Sequence, residues 1–187
     1  MKKKREKGKK NSFIYSIFIR YLILVVVAIP SFWIFYFIFT PLTVYPVYFL
    51  LNLFFDAVLS GNVLFISIPG SLLPASPIEI IGACVAGSAY YLLLIFNLSI
   101  PKIDFVKRMK MIGFAFISFL FVNVLRIVIL SAIFILKPEI FDISHKLSWY
   151  LGSIILVVGI WFIEVKKFNI KEIPFYSDVK SILKYIK

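Results

Sequence analysis

Apolar residues in this chain come in runs long enough to cross a lipid bilayer. A transmembrane helix needs about 20 predominantly apolar residues, and four runs meet that length. They are Ile17–Phe39, about Ile80–Ile100, Met111–Leu136 and about Leu147–Val165. The first run is longer than the apolar core of a signal peptide and is expected to be a retained anchor. The pattern predicts an all-α polytopic membrane protein with about four to five transmembrane helices.

A different pattern precedes the second run. In Gly61–Ile81, two short runs rich in β-branched and apolar residues, Val63–Ile68 and Pro77–Ile81, flank a segment rich in Pro, Gly and Ser. Such runs on either side of turn residues are typical of a β-hairpin. We therefore expect a small extracytoplasmic hairpin that leads directly into the helix carrying Cys84.

Composition supports a membrane protein and excludes several soluble classes. Of the 187 residues, 61% are hydrophobic and only 16% are charged, which leaves too little polar surface for a soluble domain and too much apolar surface for a disordered one. The chain has one cysteine and one histidine, so neither a disulfide scaffold nor a zinc cluster is expected. No metal or organic cofactor is predicted.

The net charge of +12 is concentrated in three segments. Residues 1–10 carry +6, Pro101–Lys110 carries +3 and Lys166–Lys187 carries +4, whereas Thr40–Glu79 carries −2. Basic segments that alternate with neutral or acidic ones follow the positive-inside rule, and they need no nucleic acid partner to explain them. The basic segments are therefore expected in the cytoplasm, in contact with anionic lipids.

This charge pattern predicts a domain organisation and a topology. Residues 1–16 form a basic cytoplasmic N-terminus, 17–165 a transmembrane domain and 166–187 a basic cytoplasmic tail. Four crossings keep Pro101–Lys110 inside and the neutral segment Lys137–Lys146 outside. The apolar stretch Leu42–Leu59, which contains Asn52 and Asp56, is therefore predicted to be a helix in the outer interface or beside the bundle.

Three polar residues stand out against the apolar spans, and this topology places all of them in the outer half of the membrane. They are Cys84 near the outer end of the second span, Arg126 in the middle of the third and His145 just before the fourth. A lone cysteine is often an inert small hydrophobe, and a histidine at a span boundary is often an interfacial polar residue. Arg126 is harder to explain in that way, because a charge at this depth must pair, snorkel or face a wet cavity.

Neighbours in the sequence indicate possible supporting roles. Asn123 lies one turn before Arg126 on the same helical face and is expected to hydrogen-bond it or a ligand. Gly87 and Ser88, three and four residues after Cys84 on the second span, are expected to share its face and to leave room for a bound chain to approach the sulfur.

The three polar residues suit acyl transfer. Cys84 is the candidate nucleophile, because a helix N-terminus and a nearby cation both favour the thiolate. His145 would serve as general acid and base, and Arg126 would stabilise the oxyanion of a tetrahedral intermediate. Arg126 as a clamp for a substrate carboxylate remains an alternative.

The order of these residues resembles the exosortase/archaeosortase family of membrane cysteine transpeptidases. The matching segments are Ile81–Cys84 (IGAC), Asn123–Arg126 (NVLR) and His145, and the resemblance covers about residues 61–165. The chain looks more similar to the compact archaeal members of that family than to its longer bacterial members. The common family pattern after the cysteine is C-[ST]-G, whereas this chain reads CVAG from Cys84 to Gly87.

The resemblance implies a function and partners. The substrates would be secreted proteins whose C-terminus carries a short motif, a hydrophobic helix and a basic tail. The enzyme would cleave this sorting signal at the outer face and transfer the protein to a lipid or another surface anchor. Two alternatives stay open from the sequence: a small transporter in which Arg126 binds an anion, and a non-catalytic membrane assembly factor.

Overall fold

A computed structural model describes residues 33–101 and 103–170, together with Tyr15, Phe18, Ile19 and Leu22. The described chain is mainly helical and contains one small antiparallel sheet. The predicted N-terminal segment 1–16, apart from Tyr15, most of the first apolar run and the tail beyond residue 170 lie outside the described residues. In chain order the elements are α1 (Trp33–Leu51), β1 (Asp56–Ser60), β2 (Val63–Ser67), β3 (Ser76–Glu79), α2 (Gly82–Val85), α3 (Gly87–Ser99), α4 (Phe105–Leu136), α5 (Pro138–Leu147), a π-helical turn (Ser148–Gly152) and α6 (Ser153–Lys167).

Four helical segments of the described chain are long and apolar enough to cross a membrane. They are Trp33–Leu51, Gly82–Ser99, Phe105–Leu136 and Pro138–Lys167. The last three correspond to the second, third and fourth predicted spans, although the last one begins nine residues earlier than predicted, at Pro138 instead of Leu147. These segments and the small sheet agree with the predicted helical membrane protein.

The prediction of one helix over Leu42–Leu59, in the outer interface or beside the bundle, is correct only for the helical character of its first half. The first half of that stretch is the end of α1, which runs without a break from Trp33 through Phe39 to Leu51. Pro41 and Pro46 lie inside this helix; membrane helices tolerate proline because neighbouring groups can satisfy the freed carbonyls. After a turn, the stretch ends in strand β1, which begins at Asp56.

A polar side chain marks the change from helix to strand. The backbone N–H of Asn52 still bonds to Tyr48 O, but its side-chain oxygen accepts the N–H of Ala57 in β1 at 3.3 Å. Strands β1 and β2 then pair around Gly61, whose φ of +61° is favourable for glycine at the first central position of a tight hairpin turn.

The predicted hairpin between the two β-branched runs is confirmed as the antiparallel pairing of β2 with β3. The sequence did not predict β1, which completes a sheet in the order β1-β2-β3. Strand β3 is followed within three residues by Gly82, where α2 begins, so the sheet fixes where the helical turn carrying Cys84 starts.

The expected outer loop at Lys137–Lys146 is also different in the structure. Helix α5 occupies Pro138–Leu147 and continues through the π-helical turn into α6. Pro138 stands at the first positions of the helix, where its missing N–H costs nothing. His145 therefore lies within a helix rather than in a loop ahead of the span.

Aromatic side chains hold the first three spans together. The Phe39 ring of α1 stacks on Tyr90 of α3 with ring centroids 3.7 Å apart, and both rings meet Phe116 of α4 edge-on at 5.5 Å. Tyr90 also meets Phe119 edge-on at 4.8 Å. These contacts fix the helices against one another directly below the turn that carries Cys84.

Candidate active site

A cavity of about 400 Å³ lies between the sheet, the C-terminal half of α4 and helix α5. Cys84, Arg126 and His145 all line it, although they come from three elements that are far apart in the sequence. The remaining lining comes from β3 and the residues after it, from α4 and from the end of α5: Pro77, Ile78, Glu79, Ile80, Ile81, Ala83, Ile127, Leu130, Ser131, Phe134, Phe141, Ser148 and Trp149. The three predicted site residues are thus brought together around one mainly apolar space.

Cys84 is the third residue of α2, a single helical turn. Its backbone N–H bonds to the carbonyl oxygen of the N-cap residue Ile81 at 2.9 Å, and the N–H of Val85 bonds to the same oxygen at 3.3 Å. The half-buried sulfur is thereby held at the wall of the cavity.

The helix breaks immediately after this turn. Ala86 adopts the left-handed conformation, with φ +57° and ψ +46°, and separates α2 from α3. The break leaves the Cys84 carbonyl without a helical partner, and the side-chain amide of Asn123 donates to it at 2.9 Å. Asn123 therefore supports the cysteine turn from α4; the expected hydrogen bond to Arg126 is not among its contacts.

The break also changes the expected positions of Gly87 and Ser88. Because the helix is not continuous across Ala86, the two residues do not share the face of Cys84, and neither lines the cavity. Gly87 is buried against α1: a Cβ there would lie 2.9 Å from Cε1 of Tyr36. The glycine permits close packing of α1 on the cysteine turn instead of leaving room for a bound chain.

Arg126 lies in the interior of α4, and its guanidinium makes one hydrogen bond to another helix. Its Nη1 donates to the Oγ of Ser153, at the start of α6, at 2.8 Å. Its Nε is buried and has no hydrogen-bond partner in the described chain. The guanidinium also interacts electrostatically with Cys84. A fixed cation with an unused donor thus shares the cavity with the sulfur.

His145 is positioned by aromatic packing. Its ring stacks on Phe141, one turn earlier in α5, with centroids 5.4 Å apart and planes inclined by 15°. Phe141 in turn meets Phe134 of α4 edge-on at 5.0 Å. These contacts align the imidazole against the cavity, and its nitrogens make no hydrogen bond within the described part of the chain.

Sequence reasoning missed several residues that build the site. Ser153, which holds Arg126, and Phe141, which orients His145, were not singled out. The spacing of Phe141 and His145 at i and i+4 was a usable signal, because such pairs touch on a helix. Ser153 could not be found in this way, because its contact with Arg126 joins residues of two different helices.

The π-helical turn brings two further residues to the cavity. Ser148 and Trp149 lie in this turn and line the cavity beside His145. Single π-turns inside α-helices are frequent at functional sites because the extra residue per turn redirects the side chains.

The geometry provides a thiol, a fixed cation and an imidazole around one space, which is the set of groups needed for acyl transfer through a thioester. Within the described residues, no three His, Cys, Asp or Glu side chains come together in a way that could hold a metal ion. No family model, curated protein or solved structure gives a significant match to this chain.

Proposed function

We propose that this protein is a membrane-embedded cysteine transpeptidase or peptidase that acts on the C-terminal sorting signals of secreted proteins. The observation that carries the proposal is that Cys84, Arg126 and His145 line one cavity from three separate elements. An inert cysteine and an interfacial histidine have no reason to meet at a half-buried arginine in the interior of a span. Their convergence favours catalysis over a transporter or an assembly factor.

Each of the three residues has a defined role in the proposed reaction. The Cys84 thiolate attacks a peptide carbonyl carbon, and the oxygen that becomes negative is stabilised by Arg126. His145 donates a proton to the leaving amine as the C–N bond breaks, which leaves a thioester on Cys84. An amine on a lipid or another acceptor then attacks the thioester, returns a proton to His145 and releases the thiolate. Water in place of the amine gives hydrolysis.

The backbone at Ala86 supports the resemblance to the exosortase/archaeosortase family. The pattern C-[ST]-G places glycine two residues after the cysteine, and here that position has a φ of +57°. Glycine adopts this conformation at little cost, whereas alanine is strained in it. The turn geometry that a glycine at this position would favour is therefore present, even though the residue is alanine.

The distribution of charge supports an outward-facing site. Basic side chains gather at one end of the bundle, where Lys167 lies 4.0 Å above the ring of Phe114 and the N-terminal turns of α4 carry Lys107 and Lys110. The sheet and the cavity occupy the opposite end, with Asp56 and Glu79. Under the positive-inside rule, the basic end is cytoplasmic and the cavity opens outside.

Replacement of the thiol tests the proposal. In cells of the source organism, Cys84→Ala should abolish the shortening of secreted proteins that share a C-terminal motif, a hydrophobic helix and a basic tail, as followed by intact mass. Ser60→Ala, which truncates an exposed serine at the end of β1, is the matched control and should process normally.

Membrane insertion of the variant must be measured in the same cells. Full processing by inserted Cys84→Ala protein would contradict the enzyme proposal and favour an assembly factor. Anion uptake into vesicles that is lost in Arg126→Gln but retained in Cys84→Ala would favour a transporter.

A further inference from the structure

Strand β3 is an edge strand of the described sheet, and its last residues line the cavity. The sheet order is β1-β2-β3, and no other strand of the described chain pairs with β3. Residues 77–81, which comprise the end of β3 and the two residues after it, all line the cavity beside Cys84. An unpaired strand edge carries backbone donors and acceptors that another extended chain can bind.

The pairing of β2 with β3 shows which groups are free. The N–H of Ile80 bonds to Asn62 O at 2.9 Å, so the backbone of Ile80 points toward β2. Backbone groups alternate in direction along an antiparallel strand. The N–H and the C=O of Glu79 therefore both point away from β2, toward the free edge.

Two neighbours support this assignment. Pro77, two residues before Glu79, has no N–H to offer, and proline within a sheet is confined to positions whose nitrogen faces away from the pairing partner. By the same alternation, the backbone of Ile81, two residues after Glu79, turns to the same side, and Cys84 follows three residues later. The free edge of β3 thus continues from Glu79 toward the turn that carries Cys84.

We propose that the substrate binds as an extended peptide that adds a further strand to the free edge of β3, paired with the backbone of Glu79. This inference rests on the proposed function, because it assumes that the chain in the cavity is a peptide. Addition of a strand to a sheet edge derives its affinity from main-chain hydrogen bonds and its specificity from pockets for alternate side chains.

The geometry sets the distance between the paired residue and the reacting bond. Glu79 and Ile81 are two residues apart, which is roughly 7 Å along an extended chain. The peptide carbonyl at Cys84 is therefore about two residues from the substrate residue that pairs with Glu79. The apolar side chains around the cavity, including Phe134 and Trp149, are placed to accept alternate side chains of the strand.

Backbone-methylated peptides test the pairing on the unmodified protein. The probe is a peptide with three residues on each side of an α,β-unsaturated carbonyl unit in place of the scissile bond. The Cys84 thiolate adds to the β-carbon, a C–S bond forms and the α-carbon takes a proton from solvent, so that labelling is read as added mass. Six versions each carry one N-methyl group in place of an amide hydrogen.

A strand-addition site predicts a position-dependent result. One amide of the probe, two or three residues from the unsaturated unit, should donate its hydrogen to the backbone of Glu79. A methyl group on that amide removes this buried hydrogen bond, so labelling should slow by about 10-fold or more. Methylation of the amides on either side of that position should change the rate little, because alternate amides point away from the edge. Equal slowing at all positions, or at none, would overturn the proposal.

Proline substitution tests the same edge from the side of the protein. Glu79→Pro removes the free N–H and breaks no bond to β2, so peptide labelling should fall by about 10-fold or more while labelling by iodoacetamide is retained. Leu59→Pro is the matched control, because Leu59 lies on β1, the other edge strand of the sheet. The N–H of Ala57, two residues earlier, points away from β2 to Asn52, so the N–H of Leu59 also points away from β2. Equal peptide labelling in Glu79→Pro and Leu59→Pro would contradict the pairing.

This inference and the proposed function can fail separately. Normal processing in cells by Cys84→Ala protein would contradict the enzyme proposal. It would not change the alternating effect of methylation, which is measured on purified, unmodified protein. Loss of processing in Cys84→Ala together with uniform methylation effects would keep the enzyme and remove strand addition.

Discussion

The side-chain amide of Asn123 donates a hydrogen bond to the backbone carbonyl of Cys84 at 2.9 Å. This contact joins the middle of α4 to the turn that carries the candidate nucleophile. It exists because the left-handed Ala86 ends α2 after four residues and leaves that carbonyl without a helical donor. Asn123 is fully buried, so no water replaces the bond if the amide is removed.

Asn123→Leu should therefore both destabilise the protein and disturb the site. The loss of a donor to a buried carbonyl costs about 1–3 kcal/mol, and the cysteine turn loses its link to α4. We expect a lower melting temperature in detergent and slower alkylation of Cys84 by the peptide probe. Asn97→Leu is the control, because Asn97 is another fully buried asparagine, but its side-chain amide bonds to Leu93 O and Glu164 rather than to the cysteine turn. Equal alkylation in both variants would show that Asn123 contributes only to stability.

Arg126→Lys should lose most processing activity although the charge is kept. The guanidinium holds Ser153 through Nη1 and has further N–H groups for a developing oxyanion, whereas one ammonium cannot serve both partners in the same geometry. Removal of a single oxyanion donor typically slows the chemical step by about 100-fold or more. The measurement is the rate of substrate shortening, compared with Ser153→Ala, which should cost less because the guanidinium is retained. Near-normal turnover of Arg126→Lys would assign a structural role to the charge.

His145→Gln should slow processing by roughly 100-fold or more, as expected when a general acid or base is removed. Phe141→Leu should have a smaller effect in the same direction, because it removes the ring on which the imidazole stacks at 5.4 Å but leaves the imidazole in place. The readout is the rate of substrate shortening at several pH values. A pH profile unchanged by His145→Gln would exclude proton transfer by this residue.

The sequence predicted the membrane class, the hairpin before Cys84 and the three residues that meet at the cavity, because each depends on a local pattern or on the depth of a residue in a span. It failed at β1, although the Gly61–Asn62 pair between two short apolar runs is a recognised hairpin signal. The high hydrophobicity of Leu42–Leu59 masked that signal. The total apolar content of a segment does not reveal that Asn52 ends the helix.

The positions of Gly87 and Ser88 failed for a different reason. The expectation assumed that the helix continued past Cys84, and only the backbone conformation at Ala86 shows that it does not. Nothing in the letters CVAG requires a left-handed alanine. The packing of Tyr36 against Gly87, contributed by another helix, was equally invisible in the sequence.

The turn after Cys84 gives a pair of opposite predictions on stability. Ala86→Gly should stabilise the protein by about 1 kcal/mol, because glycine relieves the cost of a left-handed alanine. Gly87→Ala should destabilise it by roughly 1–3 kcal/mol, because the new methyl group would overlap the ring of Tyr36. Thermal unfolding in one detergent measures both. The same sign for the two variants would contradict the backbone described here.

Glu164 leads to a last prediction, at the end of the bundle away from the cavity. Its side chain is fully buried and accepts a hydrogen bond from Nδ2 of Asn97 at 3.1 Å. Oε1 of Glu164 and Oδ1 of Asn97 are both buried without a donor in the described chain. In Glu164→Gln, the new side-chain NH₂ would donate to Oδ1 of Asn97, and the remaining side-chain oxygen would still accept from Nδ2 of Asn97. Both side chains would then have hydrogen-bond partners for the atoms that face each other. Because this also removes a buried acidic group, the melting temperature should rise by an amount equivalent to about 1–3 kcal/mol.

Glu164→Leu is the matched variant for this test. It leaves the whole amide of Asn97 without that partner and should lower the melting temperature relative to Glu164→Gln. A lower melting temperature for Glu164→Gln than for the unmodified protein would contradict the argument. It would indicate that Glu164 is ionised and balanced by Arg108, whose guanidinium donates to the carbonyl oxygen of Asn97 at 2.7 Å. The comparison of the two variants therefore decides whether the contact between α3 and α6 depends on a charge or on hydrogen bonds alone.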